Sequence, residues 1–399
     1  MSWAIQLEHG RRWQVPERLI HDGQLSQPQP ILEIQFISAV DHPSSPLRIQ
    51  RLTLKHGYAP QPEPLDQGYR LSLHAADGVM VSALLFAIPD RVFDPPPEPG
   101  QVSDGRPVVF RAAQFSLTIP WKMGAAELRV ADPEGIVILA QSVQGLRLQD
   151  NAPHFRSREH RSPYQMSRWW RQVDQRAEAS TTDGHTLDIT FVGDNYGAGD
   201  LALFYHDADR IIDHLLTYEP YASRSAQLRF HLVDNTAVDL GCVHNPMNSR
   251  LLTCNNTTVM STINDMAAPY DKIVVLVKDR KYGGSGGTIA VSYNGRNAPE
   301  VAVHEFGHSF GGLLDEYNVY TSGGLLDNAA HANCYAGAPP SSSWDGLVEV
   351  SGYTRGCRYP NWYRSSTCSI MLNLSCHSFN TVSQRQLESK LDLFTGGPP

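Results

Sequence analysis

The sequence predicts an α+β protein of 399 residues, built as an antiparallel β-sandwich over 1–149, a linker over 150–185, and a mixed, twisted sheet with flanking helices over 186–399. Three observations carry that expectation. Residues from about 30 to 148 alternate apolar and polar side chains in short runs broken by Pro, Gly, Asp and Asn, with no helical spacing between them. From residue 186 the spacing changes, and Leu201, Phe204, Ala208, Ile211 and Leu215 recur as on one face of a helix. Further on, "DKIVVLVKD" is a continuous apolar run, suited to a strand buried on both faces.

In chain order, "ILEIQFISAV", "LRIQRLTLKHG", "YRLSLHAADG", "VMVSALLFAIPD", "QFSLTIPW" and "GIVILAQSV" read as the strands of the first part, which suits a spacer, a binding module or a pro-segment. The stretch that follows is basic and irregular, anchored by Trp169 and Trp170, and reads as a linker that partly docks. "TLDITFVGD" is then a strand leading into the helix at Leu201, with Asp200 as its N-cap. "QLRFHLVD", "DKIVVLVKD" and "GGTIAVSYNG" are three strands in succession, followed by a helix that starts near Ala298 with Pro299 in its first turn. From Thr321 onward the chain reads as mostly irregular.

A formal charge of -8 gives no basic footprint, so neither nucleic acid nor an anionic membrane is expected as a partner. No run approaches the ~18 apolar residues of a membrane span, and the N-terminal residues lack a signal-peptide pattern. All six cysteines lie in the second half, four of them in the irregular region, which suggests disulfides and a secreted protein. No cysteine pair has the two-residue gap of a zinc knuckle.

The chemistry concentrates in "HEFGHSFGGLLDEY", residues 304–317. His304 and His308 are one helical turn apart, so both imidazoles can reach one metal ion. Glu305 beside them suits a general base that takes a proton from an attacking water and returns it to a leaving amine. Gly311 and Gly312 end the helix and let the chain reverse, which brings Asp315 back as a third ligand, with Glu316 as the runner-up. The acid not on the metal would orient a ligand histidine or cap a loop. In the pattern HExxHxxGxxH the third histidine would fall on Leu314, a departure that leaves the identity of the third ligand open between Asp315 and Glu316. Downstream, Met371 in "CSIML" resembles the methionine turn that floors the zinc site of metzincin proteases. His244, His331 and His377 have no spacing that ties them to the helix and read as surface or loop histidines.

"HEFGHSFGGLLDEY" resembles the signature of the bacterial IgA-peptidase-like zinc metallopeptidases, the igalysin family. "LDITFVGDNY", "APYDKIVVLVKDRKYGGSGG" and "WYRSSTCSIM" are similar to further segments of that family, in order, across residues 186 to about 378. The resemblance implies a metzincin-like catalytic domain behind an N-terminal β-sandwich, one catalytic Zn2+ held by His304, His308 and Asp315, and an endopeptidase with Glu305 as general base. It does not make immunoglobulin A the substrate, because a fold does not fix a cleavage site. Within that reading a protein or glycoprotein lies as an extended strand along "YGGSGGTIAVSYNG". Tyr363 is then the donor to the tetrahedral oxyanion, with Tyr317 competing for the role. A monomer is expected. The alternative function is a carbohydrate- or protein-binding module whose metal site is vestigial or structural.

Overall fold

The computed structural model describes residues 4–6, 12–14, 29–39, 47–61, 65, 68–89, 92–97, 112–149, 186–319 and 331–395. The expected linker, 150–185, lies outside them. The fold is α+β, with several antiparallel sheets and few helices, and the chain divides into two compact units.

The first unit takes in Met1–Asp90, Phe110–Arg156 and Met260–Tyr270. Strands β1 (Ala4–Gln6) and β2 (Arg12–Gln14) pair with each other. Strands β3 (Gln29–Ala39) and β4 (Leu47–Gly57) join β7 (Ala112–Pro120) in the order β4-β3-β7. Strands β5 (Tyr69–Ala75), β6 (Met80–Phe86), β8 (Ala125–Ala131) and β9 (Val137–Ser142) form a second antiparallel sheet, β6-β5-β8-β9. Period-two alternation sends Leu32, Ile34 and Phe36 of β3 to one face, where they share a core with Leu71 and Leu73 of β5 and Leu128 and Val130 of β8. Each such side chain contributes about 1.5–3 kcal/mol by leaving water. Strand β8 escaped the sequence reading because "AAELRVA" dilutes its two large apolar residues with alanine and charge.

Glu33, out of phase with that core face, is buried against Lys55 (2.8 Å), whose ammonium also meets Asp265 at 2.7 Å. Asn264 donates to Glu33 (2.9 Å) and to Thr118 (3.2 Å), so 260–270 is tied to β3, β4 and β7 by charge-assisted bonds. Removing one member of a buried ion pair leaves the other uncompensated. Glu33→Ala is therefore expected to cost about 3 kcal/mol of unfolding free energy, measured by urea denaturation; a change below about 1 kcal/mol would show that Asp265 alone satisfies Lys55.

The second unit takes in Arg91–Val109, Ser157–Val259 and Asp271–Pro399. Its elements are β10 (Leu187–Asp194), α1 (Leu201–Leu215), β11 (Leu228–Val233), β12 (Val243–His244), β13 (Leu252–Thr253), α2 (Asn256–Asp265, whose last residues count with the first unit), β14 (Lys272–Val277), β15 (Gly284–Ser285), β16 (Ala290–Tyr293), α3 (Ala298–Ser309), β17 (Thr354–Cys357), β18 (Tyr359–Arg364) and α4 (Thr381–Thr395). The central sheet runs β11-β10-β14-β16-β15. Its first four strands are parallel and β15 is antiparallel, at one edge. All six residues of β14 are buried, as a doubly covered strand requires.

Helix α2 stands between β11 and β14, where three strands in succession were expected. Its sequence, "NTTVMSTIND", is rich in Asn and Thr, weak helix formers that hide the periodicity. The region read as irregular contains the β17–β18 hairpin and the 15-residue α4. Asp200 precedes α1 but makes no side-chain cap; its carboxylate instead accepts from the Gly197 N–H (3.1 Å) and from Lys278 (2.7 Å). The cysteines pair as Cys242–Cys254, Cys334–Cys357 and Cys368–Cys376. No described helix is long and apolar enough to cross a membrane.

Candidate metal centre

Helix α3 is buried along its length from Val301 to Ser309, so its two histidines lose contact with water. His304 hands its Nδ1 to the backbone carbonyl of Ile370 (2.9 Å), and His308 hands its Nδ1 to that of Leu313 (2.6 Å). A carbonyl only accepts, so each Nδ1 carries the proton and each Nε2 is a bare lone pair. These two lone pairs face one another at 3.0 Å. Asp315 adds a third acceptor, with Oδ1 at 3.3 Å from His304 Nε2 and 3.2 Å from His308 Nε2, buried and without a donor of its own. Three acceptors converging away from water repel one another unless a cation lies between them, and two imidazoles with one carboxylate are a donor set suited to zinc. The residues therefore fit a metal ion.

The helix stop supplies the third acceptor. Gly312 adopts a left-handed φ of 63°, and Leu313 N–H returns to the Gly307 carbonyl at 3.2 Å, reversing the chain so that Leu313 braces His308 and Asp315 meets both rings. Burial lowers His304 below the ordinary imidazole range, which keeps the ring neutral.

Glu305 lies against the pair, with ligand atoms of His304, Glu305 and His308 all within 4.8 Å of one another. Neither of its oxygens has a hydrogen-bond partner among the described residues. Burial, with the charges of Asp315 and Asp94 added, pushes its carboxyl well above the ordinary value, so it is poised to hold a proton. Glu316 turns the other way and accepts from Asn333 (3.1 Å), Asn380 (2.8 Å) and Ser383 (3.3 Å), at the start of α4. Burial lifts Glu316 to about 7 against those bonds. Of the two adjacent acids, the geometry brings Asp315 to the histidines and leaves Glu316 bracing a loop.

Met371 is fully buried beneath α3, where a Cβ on Gly307 would stand 2.7 Å from its Sδ. The same turn presents the Ile370 carbonyl to His304, and the Cys368–Cys376 disulfide closes it. Tyr317 stacks on His304, centroids 6.4 Å apart. Tyr363 sits on β18, its backbone paired with Tyr335 and its ring beneath the Arg355 guanidinium at 5.7 Å; no contact with the histidines is found for it among the described residues. His244 is bonded to Ser249 and Asp279, and His331 lies beside Trp362. His377 does not stand alone: its ligand atom falls within 4.8 Å of those of His214 and Glu300.

Sequence reasoning missed one group entirely. Residues 92–97, which count with this unit, bring Phe93 onto His308, with rings 4.2 Å apart and 9° from parallel, and Asp94 onto Arg250. A Phe-Asp pair in a proline run carries no local signal for such a place.

Two outcomes are expected. Replacing His304 or His308 with alanine removes one of three convergent donors, so dialysed protein should lose its stoichiometric metal ion by elemental analysis. Gly286→Ala should also weaken metal retention by roughly tenfold or more, because the new Cβ would fall 2.5 Å from His308 Cβ and 2.9 Å from the Glu305 carbonyl, within a packed interior that does not yield cheaply. Unchanged metal content in either variant would remove those side chains from the centre.

No curated protein matches the chain. Residues 176–351, which contain both histidines, Glu305 and Asp315, match the family model described as IgA Peptidase M64. That match covers under half of the chain and includes the segment in which the three acceptors converge, and it supports an IgA-peptidase-like metallopeptidase family.

Proposed function

We propose that the chain is a zinc-dependent endopeptidase acting on protein or glycoprotein substrates, with Glu305 as general base. One observation carries the reading: the Nε2 lone pairs of His304 and His308 and the Oδ1 of Asp315 converge beside a carboxylate that has no partner of its own. A zinc ion held there supplies Lewis acidity, which makes water a nucleophile near neutral pH and polarises the scissile carbonyl. The chain's own residues do the rest. Glu305 takes the proton of the attacking water on a carboxylate oxygen and delivers it to the leaving amine, a task suited to a carboxyl whose affinity for protons is raised by burial. Tyr317, rather than Tyr363, is the proposed donor to the carbonyl oxygen as charge develops on it. Its hydroxyl already donates to a backbone carbonyl, that of Asp94, at 2.6 Å, and burial pushes its pKa well above the ordinary value, so the proton stays in place to be donated.

The edge strand β15 is the proposed rail for substrate, which would add as a further antiparallel strand. In the same reading Met371 floors a metzincin-like centre in a catalytic domain over 186–399. An N-terminal β-sandwich domain over 1–149 belongs to the same proposal, supported by the core that its two antiparallel sheets share. Three disulfides support a secreted enzyme. A monomer without nucleic-acid or membrane partners completes the proposal.

Glu305→Ala should retain zinc and the fold while lowering peptide hydrolysis by about two to four orders of magnitude. Cleavage of a proteome-derived peptide mixture and of mucin-like glycoproteins, mapped by mass spectrometry alongside zinc analysis, tests this. A Glu305→Ala protein that cuts as fast as the parent chain sinks the assignment.

A further inference from the structure

Residues 92–97 are bound in the second unit as a peptide would be. Phe93 and Gly286 form an antiparallel bridge, with the Phe93 N–H donating to the Gly286 carbonyl at 2.9 Å and the Gly286 N–H donating to the Phe93 carbonyl at 3.1 Å. Gly286 directly follows β15, so this short strand extends the sheet at its antiparallel edge. The carbonyl of Asp94 accepts from the Tyr317 hydroxyl at 2.6 Å, and that of Pro96 from the Tyr282 hydroxyl at 2.7 Å. Pro95, Pro96 and Pro97 offer no N–H and favour an extended backbone, so the strand needs acceptors of its own satisfied and little else.

The Asp94 side chain enters a pocket made for it. Its Oδ2 accepts from Arg250 Nη2 at 2.7 Å and from Asn248 Nδ2 at 3.0 Å. Arg250 is only 6 % exposed, yet its Nε and Nη1 find no acceptor among the described residues. A buried guanidinium charge is costly unless a carboxylate faces it; Asp94 offsets that charge through Nη2 alone and leaves the other two donors open to a further acceptor. The backbone fixes this arginine firmly. Its carbonyl accepts from the Gly284 N–H at 3.0 Å, Leu251 bridges Gly284, and the β12–β13 hairpin beside it is closed by Cys242–Cys254. The guanidinium therefore stands at a set distance from the edge along which Phe93 pairs.

We propose that Arg250 and Asn248 form a carboxylate-reading subsite of the cleft, that its ligand is an extended peptide with an acidic side chain, and that residues 92–97 occupy it as an internal competitor. This rests on the peptidase reading above and adds to it a substrate class and a reason for latency. Phe93 lies flat on His308 while the strand is docked, so a substrate must displace it to reach the histidines.

The test separates the two readings. Full-length, zinc-loaded chain carrying Phe93→Ala and Asp94→Ala, to empty the subsite, is titrated with the capped peptides Val-Phe-Asp-Pro-Pro-Pro and Val-Phe-Asn-Pro-Pro-Pro by fluorescence anisotropy. The acidic peptide should bind about 10-fold tighter or more than its amide twin. Adding Arg250→Lys, or Asn248→Asp, which sets a like charge beside the carboxylate, should reduce that ratio to roughly threefold or less. In cleavage mapping the emptied chain should cut faster than the parent, with Asp or Glu enriched at one position flanking the cut. Equal binding of the two peptides overturns the subsite, whatever is cut. Selective binding of the acidic peptide without any cleavage upholds the subsite and overturns the peptidase reading instead.

Discussion

The structure depends on where two ring protons go. Because the Nδ1 of His304 is committed to the Ile370 carbonyl and that of His308 to the Leu313 carbonyl, both Nε2 atoms are left as acceptors aimed at one point. Neither carbonyl belongs to α3. One comes from the loop that the left-handed Gly312 turns back, the other from the Met371 turn more than sixty residues downstream, which His304 thereby joins to α3 through its ring. A helix alone sets the spacing of the histidines; the two loops set their tautomers and their aim. Buried acceptors that meet without a proton are a standing cost to the fold, and a bound cation would turn that cost into stability.

Adjacent acids divide by environment. Asp315 and Glu316 are neighbours in sequence, yet one meets two imidazoles, while the other accepts from two amides and a hydroxyl and is lifted by burial to about 7 in spite of them. Glu305, one residue from His304, has neither kind of partner. Carboxyls of one chemistry are thereby given distinct duties by what faces them, which is the usual way a site runs acid and base steps at one pH.

Much of this was legible in the sequence. The spacing of His304 and His308, Pro299 at the start of their helix and the two glycines at its end are local signals, and α3 with its reversal follows them. Choosing Asp315 over Glu316 was a matter of which acid points inward after the turn, which a motif does not encode; the Asn333, Asn380 and Ser383 partners that claim Glu316 lie 17 or more residues away. Strand β8 and helices α2 and α4 were lost for a different reason, since alanine, threonine and charged residues blur the periods that tertiary packing later sharpens. The sequence reading put Tyr363 before Tyr317, and only the fold distinguishes a ring on His304 from one beneath Arg355. Least legible was Arg250, a solitary arginine whose partner Asp94 stands 156 positions earlier in the chain.

The turn that carries Ile370 and Met371 has a practical bearing on how small a working piece of this protein can be. The matched family segment stops at residue 351, and a fragment cut there would keep both histidines and Asp315 while losing the carbonyl that sets one imidazole and the sulfur on which Gly307 rests. It would also strand Cys334, whose disulfide mate is Cys357, and leave Glu316 without Asn380 and Ser383. Homology thus marks out less of the chain than the centre requires, and the minimal autonomous unit has to extend through α4.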